Sequence, residues 1–369
     1  MSCGNLTERR KIEHIIIAVR ENVGAREKTT LLEDVEFIHN PLTQISLESV
    51  DTSTIFLRKR LAAPILVSGM TGGTKLAAKI NKAIGEAVEE LGLAMGVGSQ
   101  RAGLEDPSLE YTYRVAREAA PTAPIIANIG ASQLVGGLSE GDVYRIVDMV
   151  DADALALHIN PLQEAVQPEG ETEYQGLLER IRWLTEISPV PVIVKETGAG
   201  FSREAALQLR DSGIAGIDVG GAGGTSFSVI EAIRAERRGL EEEAEAAWTF
   251  SDWGIPTAAS VIEVRSVLRD ILLIATGGLR SGLDAAKAIR LGADMAGYAL
   301  PVIRAVYHGG VDAVKKLLSR YIHELKIAMY LTGSSNIAAL RRAPIIVHGR
   351  LREWIEWRGI KLSLLQQEE

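Results

Sequence analysis

The sequence holds one cysteine, Cys3, among 369 residues. That excludes an internal disulfide, a cysteine-cluster metal site and any chemistry that needs a thiol in the middle of the chain, and a cytosolic location is the matching expectation. Aromatic residues are scarce at 5%, and acidic side chains outnumber basic ones to give a net charge of −8. Such a chain has no general attraction for nucleic acid or an anionic membrane, so an anionic ligand must be met by locally placed Arg, Lys and backbone N–H groups. The apolar run Ile15 to Val19 is too short for a signal peptide or a membrane span. Short-period repeats and low-complexity linkers are also missing, and residues 1–369 read as one domain.

Glycine, at 36 residues, and a hydrophobic content of 46% are what the chain has in quantity. Both suit an α/β enzyme with many tight turns between strands and helices. From Ala63 onward, apolar strand-like runs alternate with helical stretches: Pro64 to Met70, Leu93 to Ser99, Pro124 to Ile129, Ala154 to Asn160, Val190 to Thr197, Gly216 to Gly221, Ile271 to Gly278 and Met295 to Leu300. Eight such units predict a closed (β/α)8 TIM barrel over residues 63–332; an open doubly wound sheet would show fewer. Residues 1–62 form an N-terminal arm and 333–369 a C-terminal extension expected to pack on the barrel or a neighbouring subunit. The long loop Ala222 to Pro256 after strand six, with its acidic run Glu241 to Glu245, is expected to act as a lid or an oligomer contact.

The fourth strand concentrates the chemistry. In Ala154-Leu155-Ala156-Leu157 small and large residues alternate, so Leu155, Leu157 and Ile159 face outward and Ala154, Ala156, His158 and Asn160 face the interior. Pro161 ends the strand because it has no N–H for the ladder. Gln163 and Glu164 follow on the loop, so four polar side chains of different chemistry gather at one strand end.

Active sites of such barrels lie at the C-terminal ends of the strands. Polar and glycine-rich residues collect there: Ser68-Gly69-Met70-Thr71, Ser99-Gln100-Arg101, Asn128, Lys195, Thr225, Gly277-Gly278-Leu279-Arg280 and Ala299-Leu300. Glycines after a strand can simply make a tight turn, but two such loops on the last two strands can aim N–H groups at one phosphate. A phosphate there, with Thr71, Asn128, Lys195 and Thr225 around the mouth, suits FMN lying across the barrel top. Lys195 could sit near the N1/C2 carbonyl edge of a reduced flavin. A lysine capping loop carbonyls would give the same pattern. In the arm, Ile12, Ile15, Ile16 and Val19 predict an amphipathic helix starting near Thr7, with Arg10 and His14 one turn apart and Lys11 beside them. By itself that cluster reads as a solvated helix start.

Arg10-Lys11-x-x-His14, Met70-Thr71-Gly72-Gly73, Ser99-Gln100-Arg101, Asn128-Ile129-Gly130, His158-x-Asn160-Pro161-x-Gln163-Glu164, Val194-Lys195-Glu196, Gly221 to Thr225 and Gly277-Gly278-x-Arg280 together resemble type 2 isopentenyl diphosphate isomerase. The resemblance implies an FMN flavoprotein that interconverts isopentenyl and dimethylallyl diphosphate with Mg2+, uses NADPH or another reductant only to keep the flavin reduced, and forms homotetramers or homo-octamers. It also implies roles. Arg10, Lys11, His14, Ser99, Arg101, Asn128 and His158 contact the substrate, Gln163 lies beside the reacting double bond, and Glu164 binds Mg2+. Ser68, Met70, Thr71, Ser99, Asn128, Lys195, Thr225, Gly277, Gly278, Arg280, Ala299 and Leu300 hold FMN. Reduced FMN with Gln163 would then carry the proton transfers. The rival readings are an FMN-dependent 2-hydroxy acid oxidoreductase on the same fold and a non-catalytic sensor of a phosphate ligand. An inosine-monophosphate-dehydrogenase-like reaction is excluded, since it needs a cysteine that Cys3 is badly placed to supply.

Overall fold

The computed structural model describes residues 3–361, with side chains from Glu8 onward. The side chains of Cys3 and Thr7 and the tail beyond Lys361 lie outside the described residues. Eight parallel strands close into a barrel in sequential order. Strand one is Ile65–Val67, two Ala94–Gly96, three Ile125–Gly130, four Ala154–Ile159, five Val192–Glu196, six Gly216–Asp218, seven Leu272–Ala275 and eight Met295–Tyr298. Each expected strand is present. Most are shorter at their C-terminal ends, where glycine-rich loops leave the ladder.

Side-chain parity divides the core as the sequence requires. Leu66, Ala94, Ile126, Ala154, Ala156, Ile193, Ile274 and Met295 fill the barrel interior, whereas Leu155, Leu157, Ile217 and Val219 belong to the layer between strands and helices. The lower mouth is plugged by the hairpin Thr54–Phe56 and Lys59–Leu61, whose Phe56 and Leu61 join the interior cluster. Its turn residues Leu57 and Arg58 have φ of 49° and 65°, a tight hairpin turn made without glycine.

The rim below strands three and seven is pinned twice by one device. Arg117 donates to the carbonyls of Ala120 and Ala123 and to Asp153 Oδ2, which also accepts from Ile125 N. Arg265 donates to the carbonyls of Leu268 and Ile271 and to Asp294 Oδ2, which also accepts from Leu273 N. In both cases a planar guanidinium satisfies loop carbonyls that would otherwise be left without donors as the chain enters a strand.

The arm helix runs Cys3–Arg20, starting before the expected Thr7. Ile15, Ile17 and Val19 are its buried positions, and Ile12, expected to be buried, is 37% exposed. Its last carbonyls, of Ala18 and Glu21 just beyond, accept from Arg304. The stretch after strand six is not an open loop. It folds into helices Phe227–Arg237 and Glu241–Thr249, closed off by the bridge between Ala222 and Pro256. The described part of the extension packs on both the arm and a barrel helix. Ile345–Val347 pairs antiparallel with Val35–Phe37, and Trp354 Nε1 donates to Glu263 on a barrel helix. Among the described residues no helix is long and apolar enough to cross a membrane.

Candidate active site

A cavity of about 280 Å3 opens at the C-terminal ends of the strands. All the residues to which the resemblance assigns a substrate, metal or flavin contact border it: Arg10, Lys11 and His14 from the arm, Ser68, Met70, Thr71, Ser99, Arg101, Asn128, His158, Gln163, Glu164, Lys195 and Thr225 from the strand ends and the segments that follow them, and Gly277, Gly278, Arg280, Ala299 and Leu300 on the far side. Gln133, Gln167, Glu169 and Glu171 also border it and were missed by sequence reasoning.

Strand four delivers its residues differently from expectation. Gln163 and Glu164 sit on a short helix, Pro161–Val166, that starts at once after the strand; Asn160 is the flanking residue and Pro161 occupies the first helical turn. Proline there supplies a helical φ and lacks an N–H that would have no acceptor. The turn brings Gln163 and Glu164 back toward Asn160, whose Nδ2 donates to Gln163 Oε1 at 3.2 Å and to Glu164 Oε1 at 2.9 Å. Glu164 Oε2 accepts from Glu171 N at 2.7 Å.

His158 Nδ1 is 2.7 Å from Asn128 Oδ1. An amide oxygen only accepts, so Nδ1 carries the hydrogen and Nε2 is left with a lone pair. Burial, reinforced by the Lys195 ammonium, pushes the imidazole down to about 4, which keeps it neutral.

The arm brings its own cations to the cleft. Lys11 Nζ donates to Ser99 O at 3.1 Å and to Tyr113 Oη at 2.9 Å. Burial first, and Arg10 next, lower its ammonium to about 7. Arg10 has no ion-pair partner among the described residues. Arg101 does: its fork is shared between Glu105 at 2.6 Å and Glu171 at 2.8 Å. His14 Nε2 meets Glu231 Oε1 at 2.8 Å, and Glu231 is in turn paired with the buried Arg234 of the inserted helix. Lys11 and His14 are thus tethered and are not part of a solvated helix start.

The opposite end has the character of a phosphate cradle. Gly277 and Gly278 have φ of 103° and 82°, and a Cβ on Gly278 would lie 2.3 Å from Thr30 Cγ2. Among the described residues the amides of Gly278 and Leu279 have no acceptor. The helix that follows is already capped: Asp284 accepts from Arg280 N and Ser281 N, and Glu324 from Gly282 N. The loop amides, not that helix, are therefore free to face an anion. Nearby, Ser68 Oγ and Thr71 Oγ1 are buried without a partner. Buried hydroxyls and free amides around glycines too crowded for a side chain fit the phosphate, ribityl chain and ring of FMN. For a divalent cation the offer is narrower. No cluster of three metal-ligating side chains occurs among the described residues, so Glu164 would need ligand phosphates and water beside it, the usual arrangement for Mg2+.

Comparison with known proteins agrees with this geometry. Residues 157–347, just over half the chain, match the family described as FMN-dependent dehydrogenase. The barrel superposes on a lactate oxidase of Pediococcus acidilactici with a TM-score of 0.68 at 16% identity, covering 94% of each chain. A mandelate oxidase with (S)-mandelic acid gives a TM-score of 0.62 at 18% identity, over 94% of this chain and 98% of that one. At such identities the likeness speaks for the fold alone. Whole-chain relatives are much nearer. The isopentenyl-diphosphate delta-isomerase of Aeropyrum pernix is 50% identical over 96% of this chain and 94% of its own length, and that of Methanothermobacter thermautotrophicus 46% identical over 95% and 97%. Identity of that order along nearly the full length, on a barrel matched by an FMN-dependent family, places the chain in the isopentenyl-diphosphate delta-isomerase family, in its FMN-dependent type 2 branch.

Proposed function

We propose that the cleft interconverts isopentenyl and dimethylallyl diphosphate without net redox change, with the diphosphate under the arm and the hydrocarbon beside Gln163. The observation that carries this reading is the convergence of Arg10, Lys11, Arg101 and His14 on the wall that also holds Glu164, across the cleft from the glycine cradle. It explains how a chain of net charge −8 takes an anionic substrate. Guanidinium and ammonium groups grip the diphosphate, and Glu164 with substrate oxygens holds Mg2+.

Moving the double bond requires a proton to be added at one carbon and another removed, through positive charge on a tertiary carbon. No side chain here is a strong acid. His158 is neutral, and an amide such as Gln163 is weak, so neither protonates an unactivated alkene unaided. FMN, when bound and reduced, supplies an electron-rich ring and an ionisable N5 for that step. The chain's own work is to orient. Asn160 fixes the Gln163 amide, which aligns or relays the proton, while the arm excludes water. NADPH or another reductant serves to keep the flavin reduced, and the assembly is a homotetramer or larger.

Anaerobic NMR of isopentenyl diphosphate with protein, FMN and Mg2+ tests the reading, run with the flavin oxidised and again after dithionite reduction. Dimethylallyl diphosphate should appear only in the reduced sample, with the flavin still reduced at the end. Bleaching of oxidised flavin by a 2-hydroxy acid, with no isomer formed, would mean the same fold runs a different reaction. Normal turnover with 5-deaza-FMN would remove N5 from the scheme.

A further inference from the structure

Strands five, six and seven set Lys195, Asp218 and Thr276 side by side. Lys195 and Asp218 are register partners, and Ile274, two residues before Thr276, pairs with Asp218. All three share the inward parity, because Ile193 and Ile274 fill the barrel while Ile217 and Val219 pack outward. Lys195 and Thr276 border the cleft; Asp218, 3% exposed, lies one layer beneath them.

Asp218 acts as the hub. Its Oδ2 is 3.0 Å from Lys195 Nζ. Its Oδ1 accepts from Thr276 Oγ1 at 2.5 Å and from Gly220 N at 3.3 Å. The single hydroxyl hydrogen of Thr276 is thereby spent downward, leaving its lone pairs for the cleft and for Lys195 Nζ at 3.4 Å. Lys195 also donates to Glu196 O at 3.1 Å. The ammonium is held in place and its charge is balanced, so the floor of the cleft carries no net charge from this pair.

We propose that Asp218 is a positioning residue that sets the charge beneath the flavin: it holds the Lys195 side chain toward the ring and offsets its field. The inference rests on the reading that FMN lies over Lys195. A ring that must both give and take protons is poorly served by an uncompensated cation, which would favour its negative reduced form and lower its basicity. Asp218 supplies the compensation from a layer where it cannot touch the substrate.

The test is the two-electron midpoint potential of FMN in the holoprotein without substrate, by dye equilibration. Asp218→Asn leaves the ammonium unbalanced and raises the potential by about 30 mV, the equivalent of a tenfold preference for reduced over oxidised flavin. Lys195→Met leaves the carboxylate unbalanced and lowers it by a similar amount. The double variant, neutral again, returns close to the parent. A merely structural role for Asp218 predicts instead a double variant no better than Lys195→Met. If the amide prevents folding, Asp218→Ser carries the same neutral charge in a smaller volume. An Asp218 variant at or below the parent potential, with Lys195→Met clearly lowered, overturns the proposal. A protein that takes up no FMN, or whose flavin does not respond to Lys195→Met, overturns the underlying placement of the flavin.

Discussion

Arg234 Nη2 lies 2.6 Å from Glu169 Oε1, joining the helix inserted after strand six to the segment that follows Gln163 and Glu164. The same guanidinium reaches Glu13 of the arm at 3.2 Å and pairs with Glu231, which holds His14. Its side chain is 2% exposed. One buried fork therefore ties together three segments around the cleft without bordering it. Arg234→Met should strand Glu231 and cost about 3–5 kcal/mol of stability, because a buried partner is left uncompensated. The arm then loosens, and KM for isopentenyl diphosphate should rise on the order of tenfold while FMN affinity holds. Hydrogen exchange of residues 8–20 reports the loosening directly. Arg234→Lys should not restore the parent KM, since an ammonium cannot span three carboxylates as the planar fork does. Unchanged exchange in the arm would remove Arg234 from its docking.

That clasp was not legible in the sequence, and the reason is physical. The helix Phe227–Arg237 is buried on most sides, with Val229, Ile230, Glu231, Ala232 and Arg234 all inaccessible, so it shows no amphipathic stripe that would set buried charges apart from solvated ones. His158 was legible because a strand between Ala154 and Asn160 has a strict period of two and its inward face can be counted. The same count applied to strand six would have flagged Asp218 as an inward acid between outward Ile217 and Val219, next to Lys195. The placement of Gln163 and Glu164 on a helix was readable from Pro161, which starts helices as readily as it ends strands. Tyr113, by contrast, meets Lys11 only through the long-range docking of the arm, which no local pattern encodes.

Lys11 couples binding to pH. Burial lowers its ammonium to about 7, so between roughly pH 7 and 10.5 the unfolded chain holds a proton that the folded chain lacks, and stability rises with pH across that window. Substrate acts in the opposite sense. A diphosphate beside Nζ favours the charged form, so binding at pH 8 should take up close to one proton and binding at pH 6 almost none. Calorimetry in buffers of different ionisation enthalpy measures this number. Lys11→Met should abolish the difference between the two pH values; uptake that persists in the variant assigns the proton to another group.

Glu164 makes a separable prediction. Asn160 and Glu171 N hold its two oxygens by one bond each, leaving lone pairs for a metal. Glu164→Gln keeps the shape and one acceptor but loses the charge. The Mg2+ concentration for half-maximal activity should rise at least tenfold, while FMN affinity, set across the cleft, stays nearly constant. An unaltered Mg2+ dependence would take Glu164 out of the metal site.

The glycine cradle can be tested against its own control. Gly278 has φ of 82°, and an added Cβ would lie 2.3 Å from Thr30 Cγ2 and 2.9 Å from Gly223 O. Gly278→Ala therefore adds two costs, about 1–3 kcal/mol of backbone strain and a displacement of the loop whose amides face the phosphate. Gly137 has φ of 101° but nothing within 4 Å of an added Cβ. Gly137→Ala bears the strain alone. Both variants should lower the thermal midpoint of the FMN-free protein, but only Gly278→Ala should weaken FMN binding, by tenfold or more on fluorescence titration. Equal FMN affinity in the two would show that the turn is merely a turn, and that the phosphate is held elsewhere on the rim.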